Sequence, residues 1–129
     1  MNEKEMNIDE TESKKERIGE LLEKREEYAN NGEIEKEIEV LRELRILFKS
    51  VFGVESEENI KILTELGNSL KYIGKFKEAI RLLARAENII IKKYGEDSMA
   101  FVMCNANMAE IYRIMRNYDN VEETYFKGI

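Results

Sequence analysis

Few residues of this chain have the types and spacing that catalysis requires. Cys104 is the only cysteine and the sequence has no histidine, so no imidazole is available to activate the thiol. We expect Cys104 to be a small buried core residue. The glutamates from Glu33 to Glu39 alternate along the chain, but a helix spreads such residues around its axis. We therefore expect these glutamates to lie on a solvated helix face rather than to form a pair of catalytic carboxylates. No catalytic, cofactor-binding or metal-binding residue is predicted, and the chain is not expected to be an enzyme.

Composition and charge favour helices and argue against two classes of partner. The 129 residues are 43% hydrophobic and 37% charged, with no proline. This composition is typical of an all-α protein. Residues 1–40 contain fourteen acidic and seven basic residues, whereas residues 41–129 contain thirteen and fourteen. The sequence has no stripe of basic residues that would indicate nucleic-acid binding. Its longest apolar run is far shorter than the ~20 residues that a membrane span requires. A cytoplasmic protein that binds no nucleic acid and no membrane is expected, without cofactors.

The chain repeats itself with a period of forty-two residues. Gly32 and Gly53 are separated by twenty-one residues, as are Gly74 and Gly95, and the two intervals begin forty-two residues apart. Such a period is the signature of a repeat architecture. The copies are predicted at about 15–55, 56–97 and 98–129, the last incomplete, after a polar flexible tail at 1–14.

Each copy reads as two antiparallel helices with one apolar face. In the middle copy, Ser56 is predicted to cap the first helix, Gly74 to end it and Gly95 to end the second. The second helix of the third copy is predicted to begin near Tyr118. The predicted core positions are Ile18, Leu21, Leu22, Tyr28, Ile34, Ile38, Leu41, Leu44 and Phe48, then Ile60, Leu63, Leu66, Leu70, Ile73, Phe76, Ala79, Ile80, Leu83, Ala86 and Ile90, then Phe101, Met108, Ile111, Tyr112 and Met115.

The middle copy resembles a tetratricopeptide repeat. The residues that carry the resemblance are Leu66-Gly67 and Leu70 on the first helix, with Ala79, Leu83 and Ala86 on the second. The small residues let the two helix axes approach closely. The forty-two-residue period is similar to the repeats of kinesin light chains, as is the stretch Asn105–Tyr112. The first copy departs from the pattern, because Lys24 and Arg25 occupy the Leu-Gly place; it is either a divergent repeat or an N-terminal cap.

The resemblance implies an α-solenoid of about three repeats, whose first helices line a concave groove. It also implies that Asn107 holds the main chain of an extended peptide, a task that suits a carboxamide. The residues expected to face the groove are Lys61, Thr64, Glu65, Asn68, Lys71, Tyr72, Met103, Ala106, Asn107, Glu110 and Arg113, with Glu23, Glu26 and Asn30 in the first copy. The alternative interpretation is that these are ordinary solvated helix residues.

Two functions remain open at this point. The first is a non-catalytic interaction module or scaffold that binds a protein or peptide in the groove. The second is a regulatory or sensor repeat segment of a longer effector protein. Tyr125, Phe126 and Ile129 predict an exposed apolar end, through which the array would either continue or self-associate.

Overall fold

The computed structural model describes the backbone of residues 3–127 and the side chains of residues 9–116. Its helices are α1 (Glu3–Asn30), α2 (Ile34–Phe52), α3 (Glu57–Tyr72), α4 (Phe76–Tyr94) and α5 (Met99–Lys127), and these residues contain no strand. Each helix packs against the next one along the chain, and α3 also contacts α5. The predicted all-α fold, in which consecutive helices pack together, is confirmed.

The loops that precede α3 and α5 repeat the same hydrogen bonds. The Ser56 hydroxyl accepts the backbone N–H of Asn59 at 3.0 Å and donates to the carbonyl of Gly53 at 2.8 Å. Ser98 makes the equivalent bonds to Phe101 at 3.1 Å and Gly95 at 2.8 Å. Each serine thereby satisfies a backbone N–H that the first helical turn leaves unpaired. The predicted cap at Ser56 is confirmed, and the forty-two-residue period is visible in the backbone.

The core follows the predicted apolar faces with two exceptions. Most predicted positions are buried or pack against the buried cluster, including Leu66, Leu70 and Leu83, which are wholly inaccessible. Cys104 is buried in the same cluster, as predicted. Leu22 and Tyr112 are exceptions, because 41% and 53% of their surfaces are exposed. Leu22 lies on the solvent side of α1, next to the buried Leu21.

Gly67 allows the close contact between α3 and α4 that the sequence predicted. A Cβ atom placed on Gly67 would lie 2.9 Å from Cγ of Leu83 and 3.4 Å from the carbonyl oxygen of Ala79. The first distance is shorter than any comfortable carbon–carbon contact. A residue without a side chain is therefore needed here for the hairpin to pack as it does.

The third copy differs from the prediction, because α5 is one continuous helix through Tyr118 to Lys127. The hairpins of the first two copies turn through Gly32 and Gly74, which have φ angles of 71° and 80°. The matching residue in the third copy is Arg116, for which a left-handed conformation costs roughly 1–2 kcal/mol. The chain therefore stays helical, and the predicted second helix starting near Tyr118 is wrong.

The exposure of Tyr112 has the same cause, since no described helix folds back over it as α4 does over Leu70.

The start of the chain also differs from the predicted flexible tail at 1–14. Helix α1 begins at Glu3, so most of that segment is helical. Six of the twelve residues from Glu3 to Lys14 are Glu or Lys, which favour helix. Farther along α1, Lys14 donates to the hydroxyl of Ser50 at 2.8 Å, and Arg17 donates to both carboxylate oxygens of Glu43 at 3.0 and 3.2 Å. These bonds tie this part of α1 to α2.

Candidate binding surface

The residues predicted to line a groove lie at matched positions on α3 and α5. The period pairs Lys61 with Met103, Glu65 with Asn107, Asn68 with Glu110, and Lys71 with Arg113. Together with Tyr72 these nine residues are called the first-helix face. Because α3 and α5 are in direct contact, the two rows belong to neighbouring helices.

Two large side chains of the first-helix face are open to solvent. Tyr72 is 79% exposed and Met103 is 62% exposed. Lys61 and Arg113 are also exposed, whereas Asn107 is half-buried. Tyrosine and methionine are enriched at protein interfaces, because they offer large contact areas and, for methionine, an adaptable shape. The face therefore contains apolar contact groups beside polar ones.

Ion pairs join the first helices of neighbouring copies. Arg25 of α1 lies 3.2 Å from a carboxylate oxygen of Glu65, and Lys71 lies 3.3 Å from one of Glu110. Lys71 is held closely, with only 17% of its side chain exposed. Within residues 9–116, Lys61 and Arg113 take part in no ion pair. The free positive charges of the first-helix face are thus those two side chains.

The polar groups of α3 differ in what they can offer a ligand. The Thr64 hydroxyl donates to the carbonyl of Ile60 at 2.8 Å, so its proton is already used. The side-chain oxygen of Asn68 is buried and accepts no hydrogen bond, which carries an energetic cost for a polar atom. On α1, Glu23, Glu26 and Asn30 are exposed. They lie on the helix that Arg25 links to α3.

Cys104 is unsuited to nucleophilic chemistry. It is buried, and its thiol donates to the carbonyl of Leu83 at 3.4 Å. Burial, assisted by the nearby carboxylate of Glu87, raises the pKa of the thiol to about 11. The thiolate, which is the reactive form, is therefore scarce at neutral pH.

The described part of the chain offers no metal centre and no membrane-spanning element. No group of three or more His, Cys, Asp or Glu residues among the described side chains is placed to hold a metal ion. None of the described helices combines the length and the apolar character that crossing a bilayer demands.

The structure also brings together basic residues that sequence reasoning missed. Arg45 and Lys49 of α2 and Arg85 of α4 line a cavity of about 310 Å³, which we call the basic cavity. The positive and negative charges of residues 41–129 nearly cancel, so the net charge of this part of the chain did not reveal the cluster. A helical reading places Arg42, Arg45 and Lys49 on one face of α2, since they are three and four residues apart. That spacing was the available signal.

The first-helix face lies on the first helices of the hairpins, whereas the basic cavity is lined mainly by residues of α2 and α4. Comparison with known proteins adds no assignment to either surface. No model of a known protein family matches this chain, and no curated protein sequence matches it either.

Proposed function

We propose that this chain is a non-catalytic protein-interaction module whose first-helix face binds a peptide or helix of a partner. The hairpins would stack as an α-solenoid similar to tetratricopeptide repeats, with the first helices on its concave side. The support for this arrangement is the contact of each helix with the next, the additional contact of α3 with α5, and the ion pairs between first helices.

The observation that carries the proposal is the exposure of Tyr72 and Met103 on neighbouring helices that ion pairs hold in place. Interfaces depend on a few large anchor residues, surrounded by contacts that exclude water. Lys71 and Glu110, paired at 3.3 Å, link the two helices that carry these anchors. A surface that is ordered before binding loses little conformational entropy when the partner arrives.

The polar residues of the face indicate the chemistry of the partner. Within residues 9–116 no carboxylate pairs with Lys61 or Arg113, so acidic side chains of a peptide would pair with them. Asn107 offers a donor and an acceptor together, which suits a peptide main chain. The proposed ligand is therefore a segment with an apolar residue between acidic ones.

Selection from a displayed peptide library, followed by fluorescence anisotropy on the selected peptide, tests this proposal. In the double variant Tyr72→Ala/Met103→Ala we expect the dissociation constant to rise at least about tenfold, because alanine removes hot-spot contacts worth more than roughly 1.4 kcal/mol in total. The matched control is Ile46→Ala, which truncates an equally exposed apolar residue on α2 and should leave the dissociation constant unchanged.

The charge of the face is tested in the same assay. Arg113→Ala should weaken binding of an acidic peptide and reduce its dependence on salt, because a rim charge acts mainly through long-range attraction. If the double variant and Arg113→Ala both bind the selected peptide as tightly as the wild-type chain, the first-helix face is not the interface.

A further inference from the structure

We propose that the basic cavity is an anion-binding site, separate from the first-helix face, which takes a phosphate or carboxylate group of a small ligand. The site lies where α2 and α4 meet α3. It is independent of the proposed peptide-binding function, since none of its lining residues belongs to the first-helix face.

The lining of the basic cavity combines three positive charges with no negative one. Arg45, Lys49 and Arg85 supply the charges, Asn88 adds a carboxamide, and Leu63 and Ile89 form part of the apolar lining. A cavity of about 310 Å³ is large enough for a small organic ligand. The apolar residues suit the carbon skeleton of such a ligand, and the cations suit its charged group.

The three cations are left without partners in a protein that is otherwise acidic. The chain has 27 acidic and 21 basic residues, yet within the described residues no carboxylate pairs with Arg45, Lys49 or Arg85. The carboxylate of Glu78 acts on Arg45, but it is engaged by Arg42 through two hydrogen bonds, one of them 3.1 Å long. Arg42 thus occupies the carboxylate that would otherwise neutralise its neighbours.

Arg45 experiences this lack of a partner most strongly. It is half-buried, and burial lowers the pKa of its guanidinium, as does the positive charge of Arg85; the carboxylate of Glu78 offsets this only in part. Both effects disfavour the charged form, which arginine nevertheless keeps at all physiological pH values. A bound anion would remove the repulsion and replace the lost hydration with charge-assisted hydrogen bonds.

The chemistry of the cations selects an oxyanion. A guanidinium presents parallel N–H donors that match two oxygens of a phosphate or carboxylate, a fit that halide ions lack. Arg45 and Arg85 also line a second cavity of about 120 Å³, together with Arg81 and with Glu78, the carboxylate that Arg42 engages. The two arginines are therefore the cations that both cavities share.

One wall of the basic cavity is already fixed in place. Asn59 is only 4% exposed, its side-chain amide donates to the carbonyl of Val54 at 2.7 Å, and its backbone N–H donates to Ser56 at 3.0 Å. These bonds hold the loop before α3 against the cavity that Val54 and Asn59 help to line. A site whose walls are ordered before binding needs little rearrangement to accept a ligand.

Thermal denaturation in sodium phosphate, sodium succinate and sodium chloride at equal ionic strength tests the proposal. The wild-type chain should show a saturable rise in Tm with phosphate or succinate that chloride does not reproduce. The oxyanion that saturates at the lower concentration identifies the group, phosphate or carboxylate. Bound-ion stabilisation saturates, whereas the general stabilising effect of phosphate as an excluded salt continues to grow with concentration.

Arg45→Gln and Arg85→Gln should each lose the saturable response, and the matched control Arg116→Gln, an exposed arginine of α5 outside the first-helix face, should keep it. Circular dichroism establishes that each variant is folded. The side-chain N–H signals of Arg45 and Arg85 in the wild-type chain provide a second readout, and both should shift as phosphate is added. Equal responses to all three salts, or unshifted signals of both arginines at saturating phosphate and succinate, would overturn the proposal.

Discussion

Replacing Gly67 by alanine tests the packing of the α3–α4 hairpin through a single added carbon atom. In an exposed helix interior, Gly→Ala stabilises by roughly 0.5–1 kcal/mol, because glycine loses more conformational entropy on folding. At Gly67 the new Cβ would lie 2.9 Å from Cγ and 3.1 Å from Cδ2 of Leu83. Leu83 is wholly buried within the core cluster, so any movement of its side chain would disturb close-packed neighbours.

The expected magnitude follows from the balance of these two effects. Overpacking a well-packed core costs roughly 1–3 kcal/mol, and the helix preference of alanine returns up to about 1 kcal/mol. Gly67→Ala should therefore lower the free energy of unfolding by up to about 2 kcal/mol. Gly67→Leu adds more atoms to the same space and should cost more.

Gly19→Ala is the matched control, because it makes the same change within α1 with no atom within 4 Å of the new Cβ. It should stabilise the protein by about 0.5–1 kcal/mol. Urea unfolding followed by circular dichroism measures both variants, and the difference between them, about 1–3 kcal/mol, isolates the contact with Leu83. Equal stabilisation by the two substitutions would refute the close approach of α3 and α4 at Gly67.

Three further predictions concern an ion pair, the buried thiol and the repeated caps. Arg42 lowers the pKa of Glu78, so the pair stabilises the fold above the ordinary pKa of a glutamate, and this contribution is lost as the pH falls through the lowered value. In urea unfolding, the loss of stability caused by Arg42→Gln should therefore become smaller towards low pH. A loss that does not depend on pH would contradict this. Cys104, with its pKa raised to about 11, should react with iodoacetamide at pH 8 only as fast as the protein opens, and rapid labelling of the native chain would place the thiol at the surface. Ser56→Ala and Ser98→Ala should each cost about 1 kcal/mol in urea unfolding, and unequal losses would show that the two loops are not equivalent.

The sequence predicts the hairpins well because their determinants are local. Apolar residues three and four apart mark the inner face of each helix, and the repeated glycines mark the ends. Leu66, Leu70 and Leu83 are buried for that reason, and Gly67 lies at the hairpin contact as its place in the repeat indicated. The sequence predicted the cap at Ser56, and the cap at Ser98 lies forty-two residues later, at the equivalent position.

The structure differs from the sequence-based prediction in two kinds of place. In one, a single residue determines whether the backbone turns or stays helical; in the other, residues far apart in the sequence come together. Arg116 stands at the place of Gly74, and the conformational preference of that one residue extends α5. The basic cavity depends on α2 and α4 lying close enough for Arg45 and Arg85 to share it. That proximity is set by the packing of both helices against α3, which apolar periodicity alone does not specify.

The first-helix face was predictable as a set of positions but not in its internal contacts. The sequence placed Lys71 and Glu110 there as equivalent candidates for ligand contact. Their pairing at 3.3 Å reduces what each offers a ligand. Lys61 and Arg113 are then the cations of the face that form no ion pair within residues 9–116. Ion pairs between helices depend on side-chain rotamers, which helical spacing does not define.

The most direct test of the proposed function is a map of backbone amide chemical shifts as a selected peptide is added to the isotope-labelled chain. A peptide bound to the first-helix face should shift the signals of Tyr72, Met103 and Asn107 and leave those of Arg45 and Arg85 unchanged. Shifts centred on α2 and α4, with α3 and α5 unaffected at Tyr72 and Met103, would contradict the assignment of the first-helix face as the binding surface.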